Sequence, residues 1–322
     1  MAFLGATLAG TVTRSPETIR THRLVRDGHA KYEDFRARVA EDAEEILAAQ
    51  AKGFAFVSGG QFDWLDLMRP LAHSWKGFAK KPSGGEDAIG PVTRWFRTNT
   101  FYRKPSVSGK LDCEGTEIAD WLPKVEGNGI VFLQGAYTFF RLAEHSHYTD
   151  ASEFANDYAE AIVKSSAALK AKGYSAVLFC EHSVGYDLSL DRLDEKLWAK
   201  DFAEKAKKGG LKAGVGFPLA DASKALRLAE GTAFDFVGVD ASFSDFSKVK
   251  TSKDVLLGVV DGARIGVEDA EHIAMVAAEF ERDARFSGNY LIGPNDRLFD
   301  VPFEQGVEKI RSLAGAAEIL GK

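Results

Sequence analysis

Apolar and polar positions alternate along this chain in two rhythms. Short runs rich in Val, Phe and Leu end in Gly, Ser, Asp or Asn, and most are separated by longer stretches with apolar residues three or four apart. The short runs are Thr7–Val12, Phe54–Val57, Ile130–Leu133, Ala176–Cys180, Leu211–Phe217, Asp235–Asp240, Val255–Asp261 and Tyr290–Gly293. They are nearly continuous in hydrophobicity, the pattern of parallel strands buried on both faces. The longer stretches predict helices. Phe35, Val39 and Ile46 share a face of 33–52, and Phe154, Tyr158 and Ile162 step by four through 152–172. Val307, Ile310, Leu313, Ala317 and Leu320 do the same near the C-terminus. Gly53, Gly173 and Gly210 stand where the first two of these helices, and a further one over 195–208, should stop. Eight strands alternating with helices predict an α/β fold, a (β/α)8 TIM barrel, as a single domain over 1–322. A doubly wound open sheet is the alternative, but it needs a glycine-rich phosphate turn after an early strand, and GxGxxG does not occur there.

One stretch breaks the rhythm. Residues 58–129 separate the second strand from the third, far more chain than an ordinary βα connection uses. This insertion holds Trp64, Trp75, Trp95 and Trp121, so it is expected to pack over the barrel mouth, where long insertions build active sites. Its most flexible part should be 80–91, KKPSGGEDAIGP.

Composition narrows the class. With 45% hydrophobic and 27% charged residues the chain reads as a soluble globular protein, and a net charge of -6 argues against nucleic acid as a partner. No run reaches the roughly 18 apolar residues that span a bilayer. The opening MAFLGATLAGTVT has no basic segment before its broken apolar stretch and reads as a strand, so a cytoplasmic location without membrane contact is the expectation. Two cysteines, Cys113 and Cys180, do not make a disulfide framework in so long a chain.

Within the insertion stands GPVTRWFRTNTFYRKP, Gly90 to Pro105. It resembles the Trp-Phe-x-Thr-Asn-x-x-Tyr signature of cobalamin-independent methionine synthases. Other segments agree in order. Gln50 and Gly53 before FAFVSGGQFDWLD resemble the family's second strand, and FLQGAYTFFRLA (132–143) its third, with Ala136 where proline is expected. AVLFCEHSVGYD (176–187) falls where the family carries Gln-x-Asp-Glu-Pro, and FDFVGVDAS (234–242) at the strand bearing a zinc-ligand glutamate. DVLLGVVDGARI (254–265) is similar to the Gly-Val-Val-Asp-Gly-Arg strand of the family's N-terminal half, and NYLIGPNDRLFDVPFEQGVEKI (289–310) falls at the last strand and helix. The resemblance covers nearly the whole chain. It implies one barrel, similar to the N-terminal half of two-barrel members or to a single-barrel relative.

The family moves a methyl group from a folate, or in some relatives a corrinoid, to the sulfur of homocysteine. A free thiol with a pKa of about 8.5 is a poor nucleophile near neutrality, and zinc removes its proton. The resemblance implies zinc ligands from a His-x-Cys pair on strand five, a glutamate on strand six and a cysteine on strand eight. Here strand five reads LKAGVGFPLAD, strand six offers Asp240, and strand eight offers Asn295 and Asp296. No metal is therefore expected on this chain, and zinc is expected on a separate catalytic methionine synthase barrel. Cys180 stands for the aspartate that the family uses for the substrate ammonium, Glu181 is kept, and His182 replaces proline. Cys180, Glu181 and His182 are consecutive and point alternately, so a buried small residue is the simpler reading of Cys180.

Candidate catalytic residues are Glu181, Asp240 and Asp261, carboxylates at strand ends, which could equally cap helices or pair with Arg264 and Arg97. Candidate ligand contacts are Arg14, Trp95, Arg97, Asn99, Tyr102, Arg264 and Asn295. Trp95, Asn99 and Tyr102 would stack on a flat ligand or pin the insertion, and pinning is the simpler role for Trp95. Arg14, Arg20, Arg23, Arg97, Arg103 and Lys104 could meet the glutamate tail of a folate or remain solvated. Asn295 and Asp296 could contact a ligand or cap the last helix, while His145 and His147 read as polar surface. The function that follows is a methyltransferase component working on a methyl-folate and homocysteine with a zinc-bearing partner. The alternatives are a zinc-free divergent enzyme and a non-catalytic pterin or amino-acid binder.

Overall fold

The computed structural model describes residues 2–64, 66–80, 89–96 and 101–322. Its centre is a parallel half-barrel sheet of seven strands: β1 (Phe3–Ala6), β2 (Gly129–Gln134), β3 (Tyr174–Cys180), β4 (Lys212–Gly216), β5 (Phe236–Asp240), β6 (Asp254–Val260) and β7 (Tyr290–Pro294). They lie in the order β1-β7-β6-β5-β4-β3-β2, each pair parallel. All residues of β2 and β7 are buried, which is why their sequences show no alternation.

The last six predicted runs coincide with β2 to β7 within a residue or two at each end. The first does not. β1 ends at Ala6, and the predicted strand Thr7–Val12 is instead a buried crossing over the strand ends, bridged at Val12 to Leu298 in the loop after β7. All six of its residues are buried, so burial rather than strand pairing made the run apolar. The second run, Phe54–Val57, enters only as bridges, Phe54 to Ala6 and Val57 to Gly129. These bridges touch both edges of the sheet. Ala6 N–H donates to Gly53 O at 2.7 Å and Ala55 N–H to Ala6 O at 2.9 Å, while Val57 N–H donates to Asn128 O and Ile130 N–H to Val57 O, each at 2.9 Å.

So short a segment cannot supply a full ladder, and two glutamine side chains complete it. The Gln50 amide donates to Ser58 O (2.7 Å) and accepts from Ser58 N–H (2.9 Å). The Gln61 amide does the same across the seam, donating to Phe132 O (3.0 Å) and accepting from Phe132 N–H (2.6 Å). Each behaves as a displaced peptide group and satisfies strand atoms that no water reaches.

Around this sheet pack the helices that the periodicity predicted. Tyr32–Ala49 buries Phe35, Val39, Ala43 and Ile46, Ala151–Ala171 buries Phe154, Tyr158 and Ile162, and Phe303–Leu320 buries Val307, Ile310 and Leu313. Gly53, Gly173 and Gly210 have φ of +72°, +90° and +75°, the left-handed stops expected of them. The predicted helix over 195–208 is broken into Glu195–Leu197, Phe202–Ala206 and Lys207–Gly209. In the insertion, Lys76–Phe78 and Ser106–Asp112 pair antiparallel, Val92–Arg94 pairs with Phe101–Arg103, and Trp64 and Trp75 are buried. No helix among the described residues is long and apolar enough to cross a membrane.

The seam yields a first prediction. Gln61→Leu leaves the buried N–H and C=O of Phe132 unmatched and should lower stability by about 3 kcal/mol. Chemical denaturation should show a lower midpoint at unchanged slope, with faster amide exchange at Phe132. A loss below about 1 kcal/mol would mean that the glutamine is not the fastening.

Candidate functional site at the strand ends

Chemistry in a parallel sheet of this kind is built where the strands end and the chain turns outward. β4, β5 and β6 contribute Gly216, Gly238 and Gly258 to the floor of a cleft there, with Cys180, Asp240 and Asn295 around it. Gly258 is required: a Cβ at that position would lie 2.4 Å from Asn295 Cα. Only glycine lets the loop after β7 fold over β6.

Asp240 closes β5 and is 2% exposed. Its carboxylate accepts from Leu219 N–H (3.0 Å), Ser242 N–H (2.9 Å) and, more loosely, Asn295 Nδ2 (3.4 Å). Asn295 also accepts from Gly262 N–H at 2.9 Å, so it joins the ends of β5, β6 and β7. Burial pushes the Asp240 carboxyl up to about 6, against the pull of these three donors and with a further push from Asp296.

Glu181 stands just beyond β3 and is equally buried, yet it belongs to a neighbouring element. Its oxygens accept from Tyr137 N–H (3.0 Å), Thr138 N–H (2.8 Å) and Thr138 Oγ1 (2.7 Å), at the start of helix Ala136–Leu142. A Cβ on Gly135 would sit 2.1 Å from Glu181 Cδ, so that glycine admits the carboxylate. Burial raises Glu181 to about 7 despite these three donors.

The other predicted residues are scattered. Asp261 accepts from its own turn, Ala263 N–H at 2.9 Å and Arg264 N–H at 3.2 Å, and does not line the cleft; Arg264 is exposed. Arg14 is buried in a different place. It donates to Phe62 O at 2.5 Å, lies over the Phe35 ring at 5.0 Å, and lines a side cleft of about 420 Å³ with His22, Tyr32, Arg69 and Trp121. Arg20 and Arg23 are exposed on helix Pro16–Arg26, and Lys104 pairs with Glu144 at 3.2 Å. Arg97 and Asn99 lie outside the described residues. His145 stacks on Phe140 at 4.1 Å, whereas His147 is exposed.

Trp95 and Tyr102 meet at the mouth. They pack edge to face at 5.3 Å, and Tyr102 donates to Leu142 O at 2.9 Å, which pins the insertion. Trp95 also packs edge to face on His182 at 5.2 Å and carries the Arg297 guanidinium 5.9 Å from its ring. Each such aromatic contact is worth about 1 kcal/mol, and together they hold Trp95 over the histidine.

Beneath Trp95 lies the feature that the sequence did not announce. His182 Nε2 is 3.1 and 3.3 Å from the two oxygens of Asp296, and both side chains are largely buried. Burial alone would raise the Asp296 carboxyl, but His182 and Arg297 outweigh it and hold it below the usual range. The gap around this pair is also lined by Thr11, Asp66, Gln134 and Arg297 and measures about 10 Å³; the gap at Asp240 measures about 20 Å³ and shares Cys180 and Asp296 with it. Each is room for a water or two. Two buried atoms bordering the first gap, Gln134 Oε1 and Arg297 Nε, have no hydrogen-bond partner. The helix expected to be capped by Asn295 or Asp296 begins at Phe303 behind Pro302.

The donors at the strand ends do not suit a thiolate-held zinc. After β4 come Phe217 and Pro218, which offer no donor atom on their side chains, and the Asp240 oxygens are taken by amides. Cys180 is directed at Ala9 O, 3.7 Å away, and burial raises its thiol well above the usual range, so it stays protonated. Among the described residues no group of three or more His, Cys, Asp or Glu is placed to hold a metal.

In sequence, no protein-family model and no curated protein matches this chain. In three dimensions it is similar along its length to two solved structures. One is a B12-independent methionine synthase from a Shewanella species in complex with selenomethionine, at a TM-score of 0.72 and 17% identity, covering 99% of this chain and 98% of that one. The other is a putative vitamin-B12 independent methionine synthase from Listeria monocytogenes, at 0.71 and 15%, with the same coverage. This chain therefore has the fold of those structures, and at such identities the chemistry must be argued from its own residues.

The two raised carboxyls set a pH dependence. Between the unfolded values near 4.5 and 3.8 and the folded values of about 7 and 6, the folded chain holds more protons than the unfolded one, so stability falls as pH rises through that window. Glu181→Gln removes a titrating group while leaving an amide that can accept only on one side. Its unfolding free energy should fall less steeply than wild type between about pH 5 and pH 7, by about 2 kcal/mol over the window. Parallel slopes for the two proteins would show that Glu181 does not titrate there.

Proposed function

We propose that this chain is a methionine-synthase-like methyltransferase component, a single barrel that takes a small ligand at its strand ends and has no thiolate zinc site of its own. On this reading Phe54–Val57 is the eighth stave of a closed (β/α)8 ring, supported by its bridges to both edges of the sheet. The fold shared with two B12-independent methionine synthase structures supports the family relationship. The observation that carries the site is the polar cluster of Asp240, Asn295, His182 and Asp296, buried at the place where folds of this kind keep their chemistry. The methyl donor would be a folate or a corrinoid, the acceptor homocysteine, and a zinc-bearing catalytic barrel would supply the metal. The chain's own residues orient and enclose: Asn295 ties three strand ends together, and Trp95 covers the gap.

A second reading has its own support. The His182–Asp296 pair stands where the resemblance implies residues of the methionine synthase site, and it offers proton transfer in place of a Lewis acid. A zinc-free enzyme of altered chemistry follows from that substitution.

Mixing decides between them. Added to a zinc-bearing methionine synthase barrel with homocysteine and methyl-folate, the chain should raise methyl transfer several-fold, and Asn295→Ala, which cuts the tie between strand ends, should abolish most of the gain. Activity on a small thiol without any partner favours the second reading. Absence of stimulation, together with no calorimetric binding of folate or homocysteine, would overturn the proposal, as would stoichiometric zinc in the purified chain.

A further inference from the structure

We infer that His182 is the group that takes the proton from a thiol ligand at the strand ends, with Asp296 as the residue that positions it. The inference rests on reading the strand ends as the ligand site, and not on whether a partner is required.

The hydrogen-bond geometry assigns the two ring nitrogens. Among the described residues the hydrogen-bond partner of Nε2 is the Asp296 carboxylate, at 3.1 and 3.3 Å, so it carries the hydrogen. Nδ1 faces the Gln134 amide nitrogen at 3.5 Å, while that nitrogen also donates to Cys180 O. Nδ1 is therefore the bare nitrogen, and a contact of 3.5 Å holds it weakly. An imidazole that lines a gap, with one nitrogen fixed by a largely buried carboxylate and the other only weakly held, is the arrangement of a general base.

The surroundings leave polar atoms unmatched, and because the gap admits only a water or two, a larger ligand reaches them by displacing Trp95 from His182. Gln134 is fully buried, and its Oε1, with Arg297 Nε, is left without a partner on the border of the same gap. One is an acceptor and the other a donor, and a ligand carrying complementary groups beside its thiol would match both. Among the described residues, the charged and titratable groups around the gap with His182 are Asp296 and Arg297 from the loop after β7, Cys180 from the end of β3 and Asp66 from the insertion, while the Glu181 carboxylate is turned to Tyr137 and Thr138. Asp240 lies across Asp296 in the adjoining gap.

The step balances without a co-reactant. The ligand S–H bond breaks, its electron pair stays on sulfur, and the proton becomes Nδ1–H of an imidazolium facing the Asp296 carboxylate. The thiolate so formed is the nucleophile that a methyl donor requires.

The test uses the full chain with L-homocysteine and, as a ligand without a thiol, L-methionine. Binding is followed by calorimetry and thiolate formation by ultraviolet difference absorbance. Free thiol is ionised to a few per cent near pH 7. In the wild-type complex the ionised fraction should rise about tenfold, and in His182→Gln, read at saturating ligand, it should return to the free level. Asp296→Asn, which keeps the side-chain shape, should move the midpoint of the thiolate signal to higher pH when read at saturating homocysteine. It serves as the reading if His182→Gln does not fold. Equal ionisation of bound homocysteine in wild type and both variants overturns the inference while the ligand site stands. Failure of either amino acid to bind wild type overturns the inference and the site together.

Discussion

A parallel sheet buried on both faces has no water to offer its polar atoms, and that dryness governs the rest of this structure. Wherever the backbone ladder is interrupted, a side chain must stand in for it. Gln50 and Gln61 do so beside Phe54–Val57, where the chain is too short and too irregular to pair with both neighbours along its length. Glu181 does so for the first amides of helix Ala136–Leu142, and Asp240 for the turns after β4 and β5. Groups that look like chemistry in the sequence thus divide into those consumed by this demand and those left over. Gln134 Oε1 and Arg297 Nε are left over at one gap, beside a histidine with a weakly held nitrogen.

The same dryness decides the charges. A carboxylate surrounded by neutral donors in a buried site is pushed upward, as at Glu181 and Asp240, because three dipoles do not replace bulk water. Asp296, largely but less completely enclosed, moves the other way because His182 and Arg297 face it. Carboxyls within one cleft are thus set apart by their neighbours, a separation that lets one site hold and release protons.

Much of the architecture could be read from the sequence, and its failures have a physical pattern. β2 to β7 announced themselves because continuous apolar runs bounded by polar turns leave few alternatives, and Gly53, Gly173 and Gly210 marked helix ends through their left-handed backbone. Thr7–Val12 misled because buried crossing segments are as apolar as strands. Of the candidate site residues, Asp240, Asn295, Trp95 and Tyr102 stand at the mouth. Glu181 is engaged by a helix start that local sequence could not reveal, Asp261 serves its own turn, and Arg14 belongs to a side cleft. The His182–Asp296 contact joins residues 114 positions apart. Each looked like an isolated departure from a motif, and only the closeness of the ends of β3 and β7 across the mouth gives the two departures a common meaning.

That common meaning bears on how a methionine-synthase-like fold could do without a bound metal. Zinc supplies two things to a thiol: it removes the proton, and it fixes the sulfur in place. On the proposed reading a buried imidazole set by a carboxylate supplies the first, and unmatched donors and acceptors around a small gap supply the second by gripping the rest of the ligand. What it does not supply is a cation bound to the sulfur, and the proton removed stays nearby on the ring, where the thiolate can take it back. Such a site would favour a strongly activated methyl donor over an unactivated one, which is why the reading in which a zinc-bearing partner does the harder transfer and the reading in which this chain acts alone call for different donors at the same strand ends.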